Sequence, residues 1–416
     1  MYHFLLYLYQ LGVFVASFFS KKVRLMWRGE RESFEVLRRQ VDPTAHYAWF
    51  HAASLGEFEQ GRPLMEELRR RRPDMKILLT FFSPSGYEVR KNYEGADIIC
   101  YLPIDTVTNA RRFLRLIRPE VAYFIKYEFW YNYLHILKHR QVPVYSVSSI
   151  FREGQVFFRW YGRQYGRVLE CITHFYVQNE KSRQLLAGIG LTNVSITGDT
   201  RFDRVLQIKQ AAKVLPLCEN FIRTASRVMV VGSSWEADEE VFLPYFAQHP
   251  EWRLIIAPHV VSEERISRLC AQLQQMGRRV ATYQQSSAKD AALTSLTEVA
   301  QADTLIINCY GLLSSIYRYG QVAYVGGGFG VGIHNLPEAA VWAMPVLFGP
   351  NNQRFQEAQD LKQCGGGIEI TTAKQLETVL DRFSTDSQTL ATAAKAAGAY
   401  VASKAGATEK ILGATL

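Results

Sequence analysis

Short, continuous apolar runs bounded by turn residues are the feature that most constrains the fold of this chain. They recur from about residue 45 onward, between stretches that have helical periodicity. A run that is apolar throughout, rather than at alternate positions, is typical of a strand covered on both faces, as in a parallel sheet. A first series comprises residues 47–51, 77–82, 98–102, 121–125, 142–147 and 175–178. A second comprises residues 228–231, 254–257, 280–283, 305–308, 322–326, 346–349 and 368–370.

The two series predict two domains. A chain of 416 residues is too long for one ordinary core. Residues 206–226 separate the series and have little strand character. We therefore predict an α/β protein with two doubly wound domains facing a cleft, at residues 21–210 and 211–416. Helices are predicted between the strands, at residues 59–72, 108–118 and 132–140 among others.

The amino-terminal segment differs from the rest. Residues 1–20 contain no acid or base except His3, and Lys21, Lys22, Arg24 and Arg28 follow. Twenty residues can just span a bilayer, and cations after such a helix would place the rest of the chain in the cytoplasm. A helix lying in the membrane interface and a buried amphipathic helix are the alternatives. We predict a membrane anchor over residues 1–20.

Charge and cysteine usage narrow the classes of partner. The net charge of +9 favours an acidic partner, such as nucleic acid, an anionic membrane or a phosphorylated substrate. No zinc-finger, helix-turn-helix or RNA-binding signature accompanies the charge, so we predict no nucleic-acid partner. The six cysteines are scattered without a CxxC pair. This pattern predicts no metal site and reduced thiols in a cytosol-facing protein.

Two glutamates follow predicted strands in the first half. Glu57 ends the segment His-Ala-Ala-Ser-Leu-Gly-Glu, between a strand and a helix, and Glu128 follows the strand at 121–125. Open α/β sheets bind ligands at the carboxyl ends of their strands. The alternative for Glu57 is a first-turn acid stabilised by the helix dipole. The second strand-end acid favours a ligand site.

A glycine-rich segment follows a strand in the second half. Residues 326–332 contain five glycines, which allow close backbone approach to a ligand, and a helix is predicted from about Leu336. Asn335 is a common N-cap, Pro337 suits a first turn, and the free N–H groups there suit a phosphate. Glu338 could accept hydrogen bonds from a ribose diol. The segment does not fit G-x-G-x-x-G, so it predicts a nucleotide site other than a dinucleotide fold, or else a glycine-rich turn with an ordinary cap.

Taken together, these residues resemble the Kdo transferases of lipopolysaccharide synthesis, glycosyltransferase family 30. Those enzymes move 3-deoxy-D-manno-octulosonic acid (Kdo) from CMP-Kdo to lipid A precursor. The resemblance covers nearly the whole chain, through the apolar amino terminus and residues 54–57, 84–86, 127–130, 197–203, 311–313 and 332–338. It implies a GT-B fold with two Rossmann-like domains, inversion at the anomeric carbon, and no metal or cofactor besides the donor.

The resemblance also implies roles for single residues. Glu57 matches the family's general base, which accepts the proton of the attacking glucosamine hydroxyl. Glu128 matches an acid that supports the transition state. Arg201 falls on a position usually occupied by lysine, which keeps the charge but changes its shape. The segments matching CMP contacts comprise Pro258, His259, Tyr310, Gly311, Leu312, Asn335, Leu336, Pro337 and Glu338.

This chain departs from the family pattern at some positions. The family usually has arginine after the proline of the Pro-His segment, whereas here Pro258-His259-Val260 lacks it. Arg265 is the residue nearby in the chain that would replace it. The family commonly has glycine before its His-Asn, where this chain has Ile333.

The partners implied by the resemblance are CMP-Kdo, a diphosphorylated and acylated lipid A precursor (lipid IVA), and the anionic inner-membrane surface. The catalytic domains would face the bacterial cytoplasm. Two alternatives remain at this stage. One is another GT-B enzyme acting on a UDP-sugar as transferase or epimerase, and the other is a non-catalytic, membrane-tethered nucleotide- or lipid-binding protein.

Overall fold

The computed structural model describes residues 2–283, 296–330 and 332–416. The strands are β1 (His46–Ala52), β2 (Met75–Phe81), β3 (Ile98–Tyr101), β4 (Val121–Ile125), β5 (Val144–Ser149), β6 (His174–Val177), β7 (Val194–Ile196), β8 (Arg227–Ser234), β9 (Trp252–Pro258), β10 (Val280–Tyr283), β11 (Thr304–Ile307), β12 (Val322–Val325), β13 (Val346–Phe348) and β14 (Gly367–Glu369). The helices are α1 (Tyr2–Phe19), α2 (Lys21–Gln40), α3 (Leu55–Arg71), α4 (Pro84–Arg90), α5 (Val107–Ile117), α6 (Tyr131–His139), α7 (Arg163–Gly166), α8 (Glu180–Ala187), α9 (Arg201–Gln210), α10 (Pro216–Ile222), α11 (Glu236–Gln248), α12 (Glu263–Gln275), α13 (Leu296–Gln301), α14 (Leu313–Ile316), α15 (Leu336–Ala340), α16 (Gln356–Cys364), α17 (Ala373–Thr385), α18 (Ser387–Lys404) and α19 (Ala407–Thr415).

The chain divides into two units, each built on one sheet. The first contains Met1–Arg204 and Ala405–Leu416, and the second contains Val205–Lys404. The division therefore falls within α9 rather than after residue 210, and the last helix belongs to the first unit. Asp203 attaches that helix, because its carboxylate accepts the backbone N–H groups of Gly406 (2.5 Å) and Thr408 (2.7 Å).

The first sheet is parallel throughout, with the order β3-β2-β1-β4-β5-β6-β7. Both of its faces are covered, as the continuous apolar runs predict. In β1, Trp49 packs into one core cluster and its neighbour Phe50 into the other. The strand order reverses between β1 and β4, and in such sheets ligands bind outside the carboxyl ends of the strands at that point.

The second sheet is also parallel, with the order β10-β11-β9-β8-β12-β13-β14. Its reversal lies between β8 and β12. The loop after β12 is the glycine-rich segment, so this unit too has its predicted ligand segment at the reversal. The α/β fold with two parallel sheets is confirmed.

Most strands match the apolar runs to within a few residues, and β4 and β10 match them fully. Strand β7 was not predicted from the sequence. This strand lies at the edge of the first sheet and its residues are partly exposed, so it has no continuous apolar run.

Helices α1 and α2 pack against each other at the amino terminus. Leu6 and Val13 of α1 are buried. Arg24 of α2 donates to the carbonyls of Ser17 and Phe18, both at 2.9 Å, and so caps the end of α1. The other side of α1 is exposed and apolar, with Phe4, Tyr7, Leu8, Tyr9, Leu11, Phe14, Val15, Phe18 and Phe19. Among the described residues, no helix has both the length and the apolar character needed to cross a membrane.

Candidate active site

Glu57 lies in the first turn of α3, directly after the carboxyl end of β1. Ser54 is the N-cap, in extended backbone. The Glu57 carboxylate accepts the backbone N–H of Ala53, the residue before the N-cap, at 2.5 Å. Glu57 is therefore both a first-turn acid and a strand-end acid at the reversal of the sheet.

The pKa of Glu57 is raised from its ordinary value to about 7. Burial is the main cause, because the residue is only 6% exposed and the ionised form loses hydration. The nearby carboxylate of Glu128 raises the pKa further, whereas Lys126 and the N–H groups of Ala53 and Ser54 lower it. A helix dipole acting alone would lower the pKa of a first-turn acid. Burial and Glu128 outweigh it here.

Glu128 lies in the loop after β4, on a turn held by hydrogen bonds. Lys126 has left-handed backbone, with φ of 61°. Its carbonyl accepts the hydroxyls of Ser146 (3.1 Å) and Ser149 (2.7 Å), and its N–H donates to the carbonyl of Val147 (2.8 Å). Such a conformation costs about 1–3 kcal/mol outside glycine, so it persists only where the surroundings enforce it. The enforced turn sets the direction of Glu128.

A buried histidine, His51, lies beside Glu128. Its Nδ1 is 2.9 Å from the hydroxyl of Thr80, and its Nε2 accepts the indole N–H of Trp130 at 3.0 Å. The Thr80 hydroxyl accepts the indole N–H of Trp49 at 2.8 Å and donates to a main-chain carbonyl at 3.3 Å. These bonds assign the imidazole proton to Nδ1. The unprotonated Nε2 is 3.7 Å from the Glu128 carboxylate.

Arg201 begins α9 and is tied to the helix that carries Glu57. Its Nε donates to Asp199 at 2.8 Å, and its backbone N–H donates to the same carboxylate at 2.9 Å. Gln60, one turn after Glu57 on α3, also donates to Asp199, at 2.9 Å. The Arg201 side chain is 33% exposed. Its charge is thus held beside a buried acid, with part of the guanidinium open to solvent.

The first unit therefore brings two carboxylates together at its ligand-binding edge. A group with a pKa near 7 is ionised in a large fraction of molecules at neutral pH, and it retains enough basicity to accept a hydroxyl proton. Carboxylates in close proximity with different environments are a common arrangement for acid–base and charge-stabilising roles.

Three stacked rings lie at the reversal of the second sheet. The His259 ring is 4.5 Å from the Trp235 ring and 4.5 Å from the His334 ring, at interplanar angles of 25° and 21°. The Trp235 indole N–H points at Nε2 of His334 over 3.4 Å. Burial, and then the neighbouring His259, lower the pKa of His334. These rings come from the ends of β8, β9 and β12.

Close contacts within the protein require glycine at residues 326, 327 and 328 after β12. A Cβ on Gly326 would lie 2.3 Å from the Ser233 carbonyl, and one on Gly328 would lie 2.6 Å from the Gly349 backbone. Gly327 has a φ of 93°. The close backbone approach predicted for these three glycines is thus made to neighbouring protein segments.

Asp238 of α11 holds the same loop and is buried. Its carboxylate accepts the N–H of Gly327 (2.8 Å), the N–H of Trp235 (2.9 Å) and the hydroxyl of Tyr324 (3.1 Å). Burial is the main cause that raises its pKa, while these donors lower it. The carboxylate fixes the glycine-rich loop and the indole of the ring stack to one helix.

The remaining residues matched to CMP contacts lie on three loops. Pro258 ends β9, and Tyr310, Gly311 and Leu312 follow β11. The Tyr310 ring is exposed, and its hydroxyl accepts the backbone N–H of Val261 at 3.1 Å, which joins the loops after β9 and β11. Gly311 has a φ of 87°, and Leu312 is buried.

Asn335 precedes α15, and Leu336, Pro337 and Glu338 form its first turn. The Asn335 amide donates to Glu338 at 2.7 Å, and no side-chain cap is made to the helix. The side-chain oxygen of Asn335 is buried and has no hydrogen-bond partner within the described chain. Leu336 and Pro337 are buried, so they support the loop from the core side.

Arg265 does not replace the missing arginine after Pro258. The residue is 6% exposed, and its guanidinium is paired with Glu239 and with Glu236 (3.1 Å). The hydroxyl of Ser234, at the end of β8, also donates to Glu239, at 2.7 Å. The charge of Arg265 is therefore compensated inside the protein.

Sequence reasoning did not select Trp235, Asp238, His51 or Lys126 as site residues. Trp235 and Asp238 have a sequence signal, since an acid three residues after a strand-end residue is typical of a helix start. His51 and Lys126 have none, because their roles depend on partners from neighbouring strands. Within the described residues there is no cluster of three His, Cys, Asp or Glu side chains that could hold a metal ion.

Comparison with known proteins identifies the family. Residues 28–204 match the family model of the 3-deoxy-D-manno-octulosonic-acid transferases (Kdo transferases). This part of the chain is a Kdo transferase domain. It is 25% identical over 359 residues to the 3-deoxy-D-manno-octulosonic acid transferase of Aquifex aeolicus, covering 83% of this chain and 90% of the relative. It is 27% identical over 424 residues to that of Bordetella pertussis, covering 94% of each. A domain of this family indicates a glycosyltransferase.

Solved structures show the fold. The UDP-GlcNAc 2-epimerase of Neisseria meningitidis, bound to UDP-GlcNAc, is similar with a TM-score of 0.61 and 15% identity, over 88% of this chain and 98% of that one. At this identity the likeness concerns the fold alone, which is the GT-B fold: two α/β domains, each built on a parallel sheet.

Proposed function

We propose that this chain transfers Kdo from CMP-Kdo to lipid A precursor (lipid IVA) in lipopolysaccharide core biosynthesis, with Glu57 as the general base. The match of residues 28–204 to the family model and the names of the relatives support the sugar and the reaction. The observation that carries the mechanism is the position of Glu57, buried at the carboxyl end of β1 and near Glu128, which raises its pKa to about 7. An alcohol is too weak an acid to attack unaided, and a base of this pKa suits its activation at neutral pH.

The reaction proposed is a single displacement. The glucosamine hydroxyl gives its proton to the Glu57 carboxylate while its oxygen bonds to the anomeric carbon of Kdo. The bond between that carbon and the phosphate oxygen breaks on the opposite face, so the configuration inverts and CMP leaves. Positive charge at the anomeric carbon would be stabilised by Glu128, and negative charge on CMP by Arg201.

The donor is proposed to bind at the reversal of the second sheet. His259, Tyr310 and Asn335 come from the loops after β9, β11 and β12. The buried, unpartnered oxygen of Asn335 is available to a hydrogen-bond donor of a ligand. No metal or cofactor is proposed beyond the donor itself, so EDTA is expected to leave the transfer rate unchanged.

The chain is proposed to lie on the cytoplasmic face of the inner membrane. The exposed side of α1 is apolar along its length, and the exposed cations Lys21, Lys22 and Arg28 follow in α2. Apolar surface beside cations is the pattern of a helix that lies in the interface of an anionic membrane.

A transfer assay tests the proposal. Purified protein would be incubated with lipid A precursor and CMP-Kdo generated in place, and the lipid products would be weighed by mass spectrometry. We expect a gain of one or more Kdo units, and a loss of rate of about 100-fold or more in Glu57→Gln. Glu59→Gln is the matched control, because Glu59 lies on the same helix but pairs with Arg90 and Arg204.

The outcomes separate the alternatives. Transfer that persists in Glu57→Gln would contradict the base assignment. Binding of UDP rather than CMP would favour a UDP-sugar enzyme. Nucleotide binding by folded protein without transfer to any acceptor would favour a non-catalytic binding protein.

A further inference from the structure

A pocket of about 390 Å³ lies beside Glu128 in the first unit. Its size is within the range of small-ligand sites, about 300–1,000 Å³. Its lining residues are aromatic or aliphatic except for Glu128 itself, and comprise Tyr2, Leu6, Tyr9, Phe82, Ile104, Tyr127, Glu128, Phe129, Trp130 and Tyr165. A pocket of this kind suits a ligand in which an apolar group is attached to a polar group that reacts. The apolar group would fill the pocket, and the polar group would lie beside the carboxylate.

Helix α1 forms one wall of this pocket and is fixed in place. The Tyr2 hydroxyl donates to buried Asp105 at 2.7 Å. The same carboxylate accepts the N–H groups of Asn132 (2.9 Å) and Tyr133 (3.0 Å), at the start of α6. The Tyr2 ring also packs on Tyr131, with centroids 5.2 Å apart. The amino-terminal helix is thus bound to the element that follows the Glu128 loop.

The pocket reaches the protein surface at α1. Leu6 is buried in the pocket wall, whereas Tyr9, one turn further along the same helix and also in the lining, is 45% exposed. The pocket is therefore accessible to a ligand from the exposed surface beside Tyr9.

We infer that this pocket binds one fatty acyl chain of the lipid acceptor and so delivers the attacking hydroxyl to the side of Glu128. The inference rests on the proposed function. The acceptor has phosphates, sugars and acyl chains, and the chemistry of the pocket lining indicates which of these groups it binds. The pocket offers no cation to a phosphate, and Glu128 repels one. Its aliphatic and aromatic wall excludes water from a hydrocarbon chain.

The test compares acceptors that differ only in acylation. The first variant is Leu6→Trp, which fills the pocket with an indole. A second variant, Tyr9→Ala, removes a partly exposed wall residue and does not depend on repacking the core. Val89→Trp is the control, since Val89 is 56% exposed on α4 of the same unit and lies outside the pocket lining. A thermal unfolding transition equal to that of the wild type shows that each variant is folded.

We expect Leu6→Trp to raise the KM for the fully acylated acceptor about tenfold or more, because the pocket is occupied. Its KM for CMP-Kdo and for a de-acylated acceptor should stay at the wild-type value. Tyr9→Ala should reduce the ratio of activities on long-chain and short-chain acceptors. The control should leave all three values unchanged.

Equal losses on acylated and de-acylated acceptors would place the sugar in the pocket and overturn the inference. Unchanged KM values would also overturn it. If the wild type transfers no Kdo, the proposed function fails separately. Binding of the acylated and de-acylated lipids, followed by native mass spectrometry, then still tests the pocket, because acyl-dependent binding lost in Leu6→Trp would support it.

Discussion

At the scale of single residues, the charges at the carboxyl-terminal edge of the first sheet determine the basicity of Glu57. The carboxylate of Glu128 and the ammonium group of Lys126 both lie near it. The pKa of Glu57 is raised to about 7 by burial and by Glu128, against the lowering effect of Lys126. The direction of each effect predicts how substitution of Glu128 or Lys126 should change the pKa of Glu57.

The pH profile of transfer is the first prediction. Glu57 accepts a proton only when ionised, and a raised pKa means that this form is lost as pH falls through about 7. The value of kcat/KM should therefore fall about tenfold per pH unit below that point and level off above it. Glu128→Gln removes a charge that raises the pKa of Glu57, so the fall in its remaining activity should occur at lower pH. A fall at the same pH as in the wild type would contradict the electrostatic coupling between the two glutamates.

Lys126→Met should shift the pH dependence in the opposite direction. The ammonium group lowers the pKa of Glu57, so its removal should raise that pKa, and full activity should be reached only at higher pH. The pH–rate profile of the variant checks this shift. Glu59→Gln should retain the wild-type limb. A Lys126 variant that loses activity equally at every pH would indicate damage to the turn, since its backbone is left-handed.

At the scale of elements, the glycine-rich loop of the second unit depends on one side chain. Asp238 accepts hydrogen bonds from Gly327, Trp235 and Tyr324. An amide in its place could present a donor to groups that are themselves donors.

Asp238→Asn should therefore weaken CMP binding about tenfold or more, because a buried hydrogen bond left unmade costs about 1–3 kcal/mol. Isothermal titration with CMP measures the effect. Glu264→Gln is the control, since Glu264 is exposed and pairs with Arg268 on the surface of α12. CMP affinity equal to wild type in Asp238→Asn would show that the loop does not contribute to the nucleotide site.

The elements differ in how far the sequence could predict them. Continuous apolar runs mark β1 and β4 because both faces of the first sheet are buried. The edge strand β7 has no such run because it is partly exposed. Glu57 and Glu128 could be selected because strand ends bind ligands, but the His51–Thr80–Trp130 network joins three separate segments and has no linear pattern. The glycine-rich segment could be recognised in the sequence. The reason that glycine is needed there is close contact with backbone segments that are neighbours only in the folded protein.

At the scale of the whole molecule, the apolar side of α1 predicts membrane association. Leu8→Asp, Leu11→Asp and Phe18→Asp combined should abolish sedimentation with vesicles of phosphatidylethanolamine and phosphatidylglycerol, because all three side chains are exposed. Thermal stability should change little. Ile189→Asp, another exposed apolar position of the first unit, should leave binding intact. Salt should weaken the wild-type binding, since cations follow the helix. Vesicle binding by the triple variant would contradict the proposal.

The return of the carboxyl terminus to the first unit affects how the protein is made. Residues 405–416 complete that unit, through Asp203 and through the hydroxyl pair of Tyr123 and Thr415 at 2.9 Å. Domains usually fold in the order in which the ribosome releases them. Here residues 405–416 are translated only after the whole of the second unit. The first unit therefore stays incomplete while the second unit is synthesised, and we expect the second unit to be able to fold before the first is complete.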